Sequence, residues 1–164
     1  MEKKFGKFNT IEELNRAAAA QLKEGDEEAL CILAEENGLD KEDVMDYLDG
    51  RADTLATPLM AAMGKLKLEK EELKCEGFFS DCIDTVLNMC MLDDEMCHAV
   101  FNPEKKLSQF LGKILKLAFE MKQQIHNNIV NAAGLRPPLY LGIPGKTDVI
   151  RIAHEYYLGK AIGK

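Results

Sequence analysis

TIEELNRAAAAQLKEGDEEALCILAEENGLDKEDVMDYLDG, residues 10–50, carries three helices marked out by their own caps. Thr10 followed by Glu13 forms a capping box, and the helix it opens runs through Leu14 and Ala17 to Ala20 before Gly25 closes it. Asp26 caps the next, whose apolar residues Ala29, Leu30, Leu33 and Ala34 recur at helical spacing until Gly38. Asp40 caps a third with Val44, Tyr47 and Leu48 inside and Gly50 as its stop. Short helices and tight corners predict a trihelical subdomain over residues 1–53.

Helical texture continues to the carboxy terminus. Pro58 after Thr57 starts a helix through Met60, Ala61 and Met63, because proline at the first helical position lacks only an amide that has no partner there. Beyond Gly64 a charged segment, KLKLEKEELKCEG, leads to a helix from about Phe79 to Leu92 with Ile83, Val86, Leu87 and Cys90 on its apolar side. Asp93 caps a short helix through Val100. Pro103 opens the longest periodic run, about Glu104 to Ala133, with Leu107, Phe110, Leu111, Ile114, Leu115, Ala118, Met121, Ile125 and Ile129 in one stripe. After Gly134 the segment RPPLYLGIPGK is not regular helix, and Leu139 and Leu141 are expected to lie extended against the core. Thr147 or Asp148 then caps a last helix with Val149, Ile150, Ala153 and Tyr157, ended by Gly159.

The expected architecture is all-α: a multi-helix single domain with an acidic trihelical subdomain at 1–53, a helical core with a basic end at 54–164, and a long central helix near 104–133. Alternating β-branched runs are nearly absent, and 164 residues at 46% hydrophobic content suffice for one buried core. Five cysteines, an odd number, and an opening MEKKFGKF without an apolar stretch point to a reducing cytoplasm. No apolar run approaches the roughly 20 residues that span a bilayer, so no membrane role is expected.

Charge says most about partners. Residues 1–100 hold 24 acids and 11 bases, net −13, while residues 101–164 hold 4 acids and 10 bases, net +6. From Glu24 to Asp53, 12 acids face only Lys41 and Arg51. Such a stretch is either a solvated surface that favours solubility or a surface that competes with phosphates for a basic groove. A DNA duplex carries one charge per about 1.7 Å, a field that carboxylate-studded helices approximate.

LAEENGLDKEDVMDYLDG, residues 33–50, resembles the helix-turn-helix of phage repressors. Ala34 is small where the first helix requires it, Gly38 makes the corner, and Leu39, Val44 and Tyr47 point inward. In that family the second helix offers bases and phosphates hydrogen-bonding or cationic side chains. Here it offers Asp40, Glu42, Asp43, Asp46 and Asp49, so the DNA-reading role does not carry over; the hairpin serves packing or presents acid to a protein.

Catalytic motifs are incomplete. GIPGKTD has Gly145, Lys146 and Thr147 before a helix, but Tyr140 stands where a phosphate-binding loop needs its first glycine. A loop-to-helix turn is the plainer reading, with a weak anion site second. Cys75, Cys82, Cys90 and Cys97 recur at seven or eight residues, a spacing that lines a core rather than a zinc ion. His98, His126 and His154 are dispersed, and His154–Glu155 lacks the second histidine of a zinc-protease helix, Leu158 standing there instead. No enzyme activity, metal or cofactor is expected.

Lys105, Lys106, Lys113, Lys116 and Lys122 lie on the polar face of the long helix, ordinarily a solvated face. With Arg136, Lys146, Arg151 and Lys160 they also make a strip suited to nucleic acid or an acidic protein. Tyr140, Tyr156 and Tyr157 interleave with it, and the adjacent pair cannot both face inward.

FNTIEELNRAAAAQLKEGDEEAL, NGLDKEDVMDYLDG, TPLMAAMGKL and PLYLGIPGKTDVIRIAHEYYLGK together resemble accessory proteins on mobile elements of gram-positive bacteria. Some small acidic proteins from that setting are anti-CRISPR inhibitors of nucleases such as Cas9. The resemblance implies a non-enzymatic inhibitor or regulator of a nucleic-acid-handling machine. On this reading Glu35, Glu36, Asp40, Glu42, Asp43, Asp46 and Asp49 meet a protein with a basic nucleic-acid-binding surface, such as a CRISPR nuclease complex. Lys113, Lys116, Arg136, Lys146, Arg151 and Tyr156 meet its nucleic acid or an acidic patch. The alternative is a DNA-binding regulator acting through the basic half. The same charge dipole also suits a homodimer arranged head to tail.

Overall fold

The caps read at Thr10, Asp26, Thr57 and Asp93 form as hydrogen bonds in the structure, a computed structural model that describes residues 3–160. Thr10 Oγ1 accepts from the Glu13 N–H at 3.1 Å, opening α1 (Ile11–Glu24), and the Glu13 carboxylate reaches back to the Asn9 N–H at 3.0 Å. Asp26 accepts from the Ala29 N–H at 2.9 Å and starts α2 (Glu27–Glu36). Asp43 accepts from the Asp40 N–H at 3.0 Å in the first turn of α3 (Lys41–Leu48). Thr57 and Pro58 open α4 (Pro58–Leu73), with Thr57 Oγ1 accepting from the Met60 N–H at 3.2 Å. Then follow α5 (Phe78–Leu92) and α6 (Asp94–Phe101), the latter capped by Asp93. The class is all-α, as the periodicity predicts.

The charged run after Gly64 is helix rather than connector. It contains no breaker before Lys74, whose positive φ of 52° ends α4, and it buries Leu66. Gly64 itself is tolerated mid-helix because the corner after α2 rests on it. A Cβ on Gly38, whose φ is +72°, would lie 2.2 Å from the Gly64 oxygen, and a Cβ on Gly64 would lie 2.2 Å from the Asn37 oxygen.

Packing divides the chain into two compact units, Met1–Leu107 and Ser108–Lys164. In the first, Leu14, Leu30, Leu33, Val44 and Tyr47 share one core with Leu55, Ala61 and Phe101, so residues on both sides of position 53 belong to it. Helix α4 packs against α5 and α6. The Lys65 ammonium fixes the chain after α6 by donating to the carbonyls of Val100 and Asn102, each at 2.7 Å, and of Lys105 at 2.5 Å. A cation on the last carbonyls of a helix satisfies acceptors that lack intrahelical partners. Burial pushes this ammonium's pKa down to about 8, against the pull of Glu69.

The second unit corrects the expected helix over 104–133. Residues 102–106 form a turn in which Asn102 Oδ1 accepts from the Glu104 N–H, and α7 spans only Leu107–Glu120. The chain then forms β1 (Gln123–Gln124), antiparallel to β2 (Tyr140–Leu141), and α8 (Asn127–Ala132) lies between them. The Ile125 N–H donates to the Leu139 carbonyl at 2.8 Å, so a returning segment takes the bonds that another helical turn would have used. That segment comes close: a Cβ on Gly142 would lie 2.0 Å from the Ala118 oxygen. The last helix, α9 (Lys146–Ala153), begins before the expected Thr147 or Asp148 cap, because the Asp148 carboxylate reaches back to the Gly145 N–H at 2.9 Å. A π-helical turn (His154–Leu158) continues to Gly159. Among the described residues no helix is long and apolar enough to cross a membrane.

Candidate functional site

The packing boundary is also the charge boundary. The first unit holds 25 acids and 13 bases, net −12, and the second holds 3 acids and 8 bases, net +5. Each unit therefore presents its own field.

On the first unit, the helix-turn-helix spacing packs as its residues require: Ala34, Leu39, Val44 and Tyr47 are buried, which turns the carboxylates of α3 outward. Glu35, Asp40, Glu42 and Asp49 are exposed, and Glu36, Asp43 and Asp46 are half-buried. Their partners separate them. Glu36 has a structural task, since its carboxylate accepts from the N–H groups of Lys4 and Phe5 and clasps the segment before α1. Asp43 braces the first turn of α3. Arg51 lies 3.2 Å from Asp46 and 2.7 Å from Asp49, and Lys67 lies 3.4 Å from Asp40. The carboxylates of Glu35 and Glu42 make no hydrogen bond or ion pair among the described residues.

On the second unit, the structure gathers three of the six basic-surface residues. Lys113 and Lys116 of α7 and Tyr156 of the π-helical turn surround one open depression of about 570 Å³, with Gln109, Gly112 and Glu155. The Tyr156 hydroxyl donates to Gln109 Oε1 at 2.6 Å, while its neighbour Tyr157 is buried with its ring 5.7 Å from Phe110. Arg151 is drawn along its own helix toward Asp148 at 3.6 Å and Glu155 at 3.5 Å. Arg136 and Lys146 are exposed but do not line the depression.

Two features escaped the sequence. Leu115 and Ile129, assigned to a buried stripe, are 60% and 63% exposed, and Phe119 is 69% exposed with Lys122 Nζ 4.7 Å from its ring centre. Ile129 leaves the stripe because α7 stops at Glu120, which helical period alone does not reveal, while Leu115 and Phe119 lie within α7 on its exposed side. The second is an open groove of about 420 Å³ in the first unit, between the start of α3, one face of α4 and the middle of α5. Residues at i, i+3 and i+4 on α4, Met60, Met63 and Gly64, were the available signal, but reading Gly64 as a helix end concealed it.

The chemistry-bearing side chains are placed structurally. Cys82, Cys90 and Cys97 are buried, and burial raises all three thiols, Cys82 to about 11. Cys97 Sγ donates to the Cys90 carbonyl at 3.1 Å. Among the described residues no three His, Cys, Asp or Glu side chains form a group that could hold a metal ion. At the amino end of α9, Asp148 already accepts from the Gly145 amide that an anion beside Lys146 and Thr147 would use. No family model, no curated protein and no solved structure matches the chain.

Proposed function

We propose that this is a non-enzymatic binding protein that inhibits or regulates a nucleic-acid-handling enzyme by docking the acidic face of α2 and α3 on its basic surface. The carrying observation is that residues 24–53 hold 12 acids against two bases while the carboxylates of Glu35 and Glu42 have no internal partner among the described residues. A surface this rich in carboxylates attracts a cationic groove and accelerates encounter, an effect that salt suppresses. The mobile-element resemblance makes a CRISPR nuclease complex the first partner to try.

The test is inhibition of DNA cleavage by a guide-loaded CRISPR nuclease, with wild type compared against two triple charge reversals. Glu35→Lys, Glu42→Lys and Asp49→Lys together are expected to weaken inhibition at least about tenfold, most at low salt. Glu71→Lys, Glu72→Lys and Glu76→Lys, equally exposed on the far part of α4 and beyond, should stay within about twofold. Equal effects remove the assigned face. Glu69 is unsuitable as a control, because it is partly buried beside Lys65, 3.9 Å away.

A second reading, a DNA-binding regulator, is supported by the convergence of Lys113, Lys116 and Tyr156 on one depression. It predicts that the protein alone shifts duplex DNA. Lys113→Gln with Lys116→Gln would then flatten the salt dependence by about two phosphate contacts.

A further inference from the structure

The groove in the first unit is built rather than incidental. Its floor is the face of α4 with Met60, Met63 and Gly64, and its apolar walls are Leu39 on one side and Ile83 with Leu87 on the other. Two glycines set its depth: Gly38 and Gly64 meet backbone to backbone, which seats the corner before α3 directly on α4.

Its lips are acidic. Asp40 and Asp43 stand on the α3 side and Asp84 on the α5 side, while Lys67 and Lys70 come from α4. Lys67 lies 3.4 Å from Asp40 and neutralises it, which leaves Asp43 and Asp84 against Lys70 within a unit of net −12. An apolar channel between helices, edged by carboxylates, is complementary to a helix with an apolar stripe and cationic flanks. A floor of methionines adapts to the side chains laid on it. A nucleic acid is repelled by this unit.

We infer that the groove receives an amphipathic helix of the partner protein, its apolar stripe on Met60, Met63 and Leu87 and its Lys or Arg residues beside Asp43 and Asp84. The inference rests on the proposed docking and supplies its specific contact. Surface charge steers the encounter, and the groove selects the partner.

The test uses the full chain and two labelled helical peptides about 18 residues long, roughly five turns, read by fluorescence anisotropy. Both carry leucine at helical spacing; one fills the remaining positions with lysine and the other with glutamate. The leucine–lysine peptide is expected to bind saturably and the leucine–glutamate peptide not to bind. Met63 is 41% exposed, so Met63→Arg should leave thermal unfolding unchanged while weakening the peptide at least about tenfold; Met63→Leu should retain it.

No binding of the leucine–lysine peptide overturns the inference, as does equal binding of both peptides. Binding that ignores Met63→Arg but disappears with Glu35→Lys and Glu42→Lys overturns it too, since charge alone then holds the peptide. Self-association abolished by Met63→Arg would give the groove to a second copy and also overturn it. The peptide needs no nuclease, so the two proposals fail separately: nuclease inhibition lost on charge reversal but kept in Met63→Arg preserves the docking face and removes the groove.

Discussion

The two units solve the same packing problem at opposite ends of the sequence scale. In the acidic unit three helix starts are set by residues within one turn of them: Asp26 bonds Ala29, Asp43 bonds Asp40, and Thr57 bonds Met60. In the basic unit the decisive corner, the end of α7 at Glu120, is set by a segment some twenty residues further on, through the pairing of Gln123 with Leu141. At the surface both units leave large apolar side chains outside, Met91 and Leu92 in the acidic unit and Leu115, Phe119, Ile129 and Ile143 in the basic one, but their net charges differ in sign.

The largest expected effect breaks the acidic unit at its glycine contact. Gly64→Ala places a Cβ 2.2 Å from the Asn37 oxygen, where backbone meets backbone and neither side can rotate away. Overpacking of this kind with a displaced corner is expected to cost about 3 kcal/mol in urea unfolding. A loss below about 1 kcal/mol would mean that the corner is softer than its geometry and that the groove is not rigid.

A smaller effect probes the cation inside the acidic unit. Lys65→Met leaves the carbonyls of Val100, Asn102 and Lys105 without their donor and is expected to destabilise by about 2 kcal/mol at pH 7. The pH dependence has a definite sign. Folded, the ammonium releases its proton near pH 8, whereas the unfolded chain holds it to the ordinary 10.5. Between those values unfolding takes up a proton, so rising pH favours the fold. The stability gap between wild type and Lys65→Met should therefore widen from pH 8 to pH 10, measured by urea titration at each pH. A gap that narrows would show that the carbonyls hold the charge more firmly than burial opposes it.

This contrast also explains what was legible in the sequence. Thr10, Asp26 and Thr57 act on amides a few residues away, so their patterns fix where α1, α2 and α4 begin without tertiary knowledge. The stripe from Leu107 to Ile129 is equally regular, yet the helix breaks because Ile125 bonds Leu139 and Gly142 packs on Ala118, contacts invisible to a local rule. The same logic divides the candidate sites. Solvent-facing acids on α3 follow from its buried Val44 and Tyr47, whereas the meeting of Lys113, Lys116 and Tyr156 requires α7 and the π-helical turn to be brought together in space. Which acids have structural tasks was likewise hidden: nothing near Glu36 in sequence announces that it holds Phe5.

The smallest expected effect has the opposite sign and concerns the basic unit. Gly112 sits inside α7, and a Cβ there would meet nothing within 4 Å, unlike those on Gly38, Gly64 and Gly142. Packing therefore gives no reason for glycine, and replacing it by alanine should stabilise by about 0.5–1 kcal/mol through helix propensity alone. The check is the urea midpoint of Gly112→Ala against wild type. Because Gly112 also lines the depression with Lys113, Lys116 and Tyr156, the same variant tests why the glycine is there. A stabilised variant that binds its partner less well would identify Gly112 as the residue that keeps the depression open. A stabilised variant that binds unchanged would leave the acidic unit as the working surface and the basic depression as solvated helix.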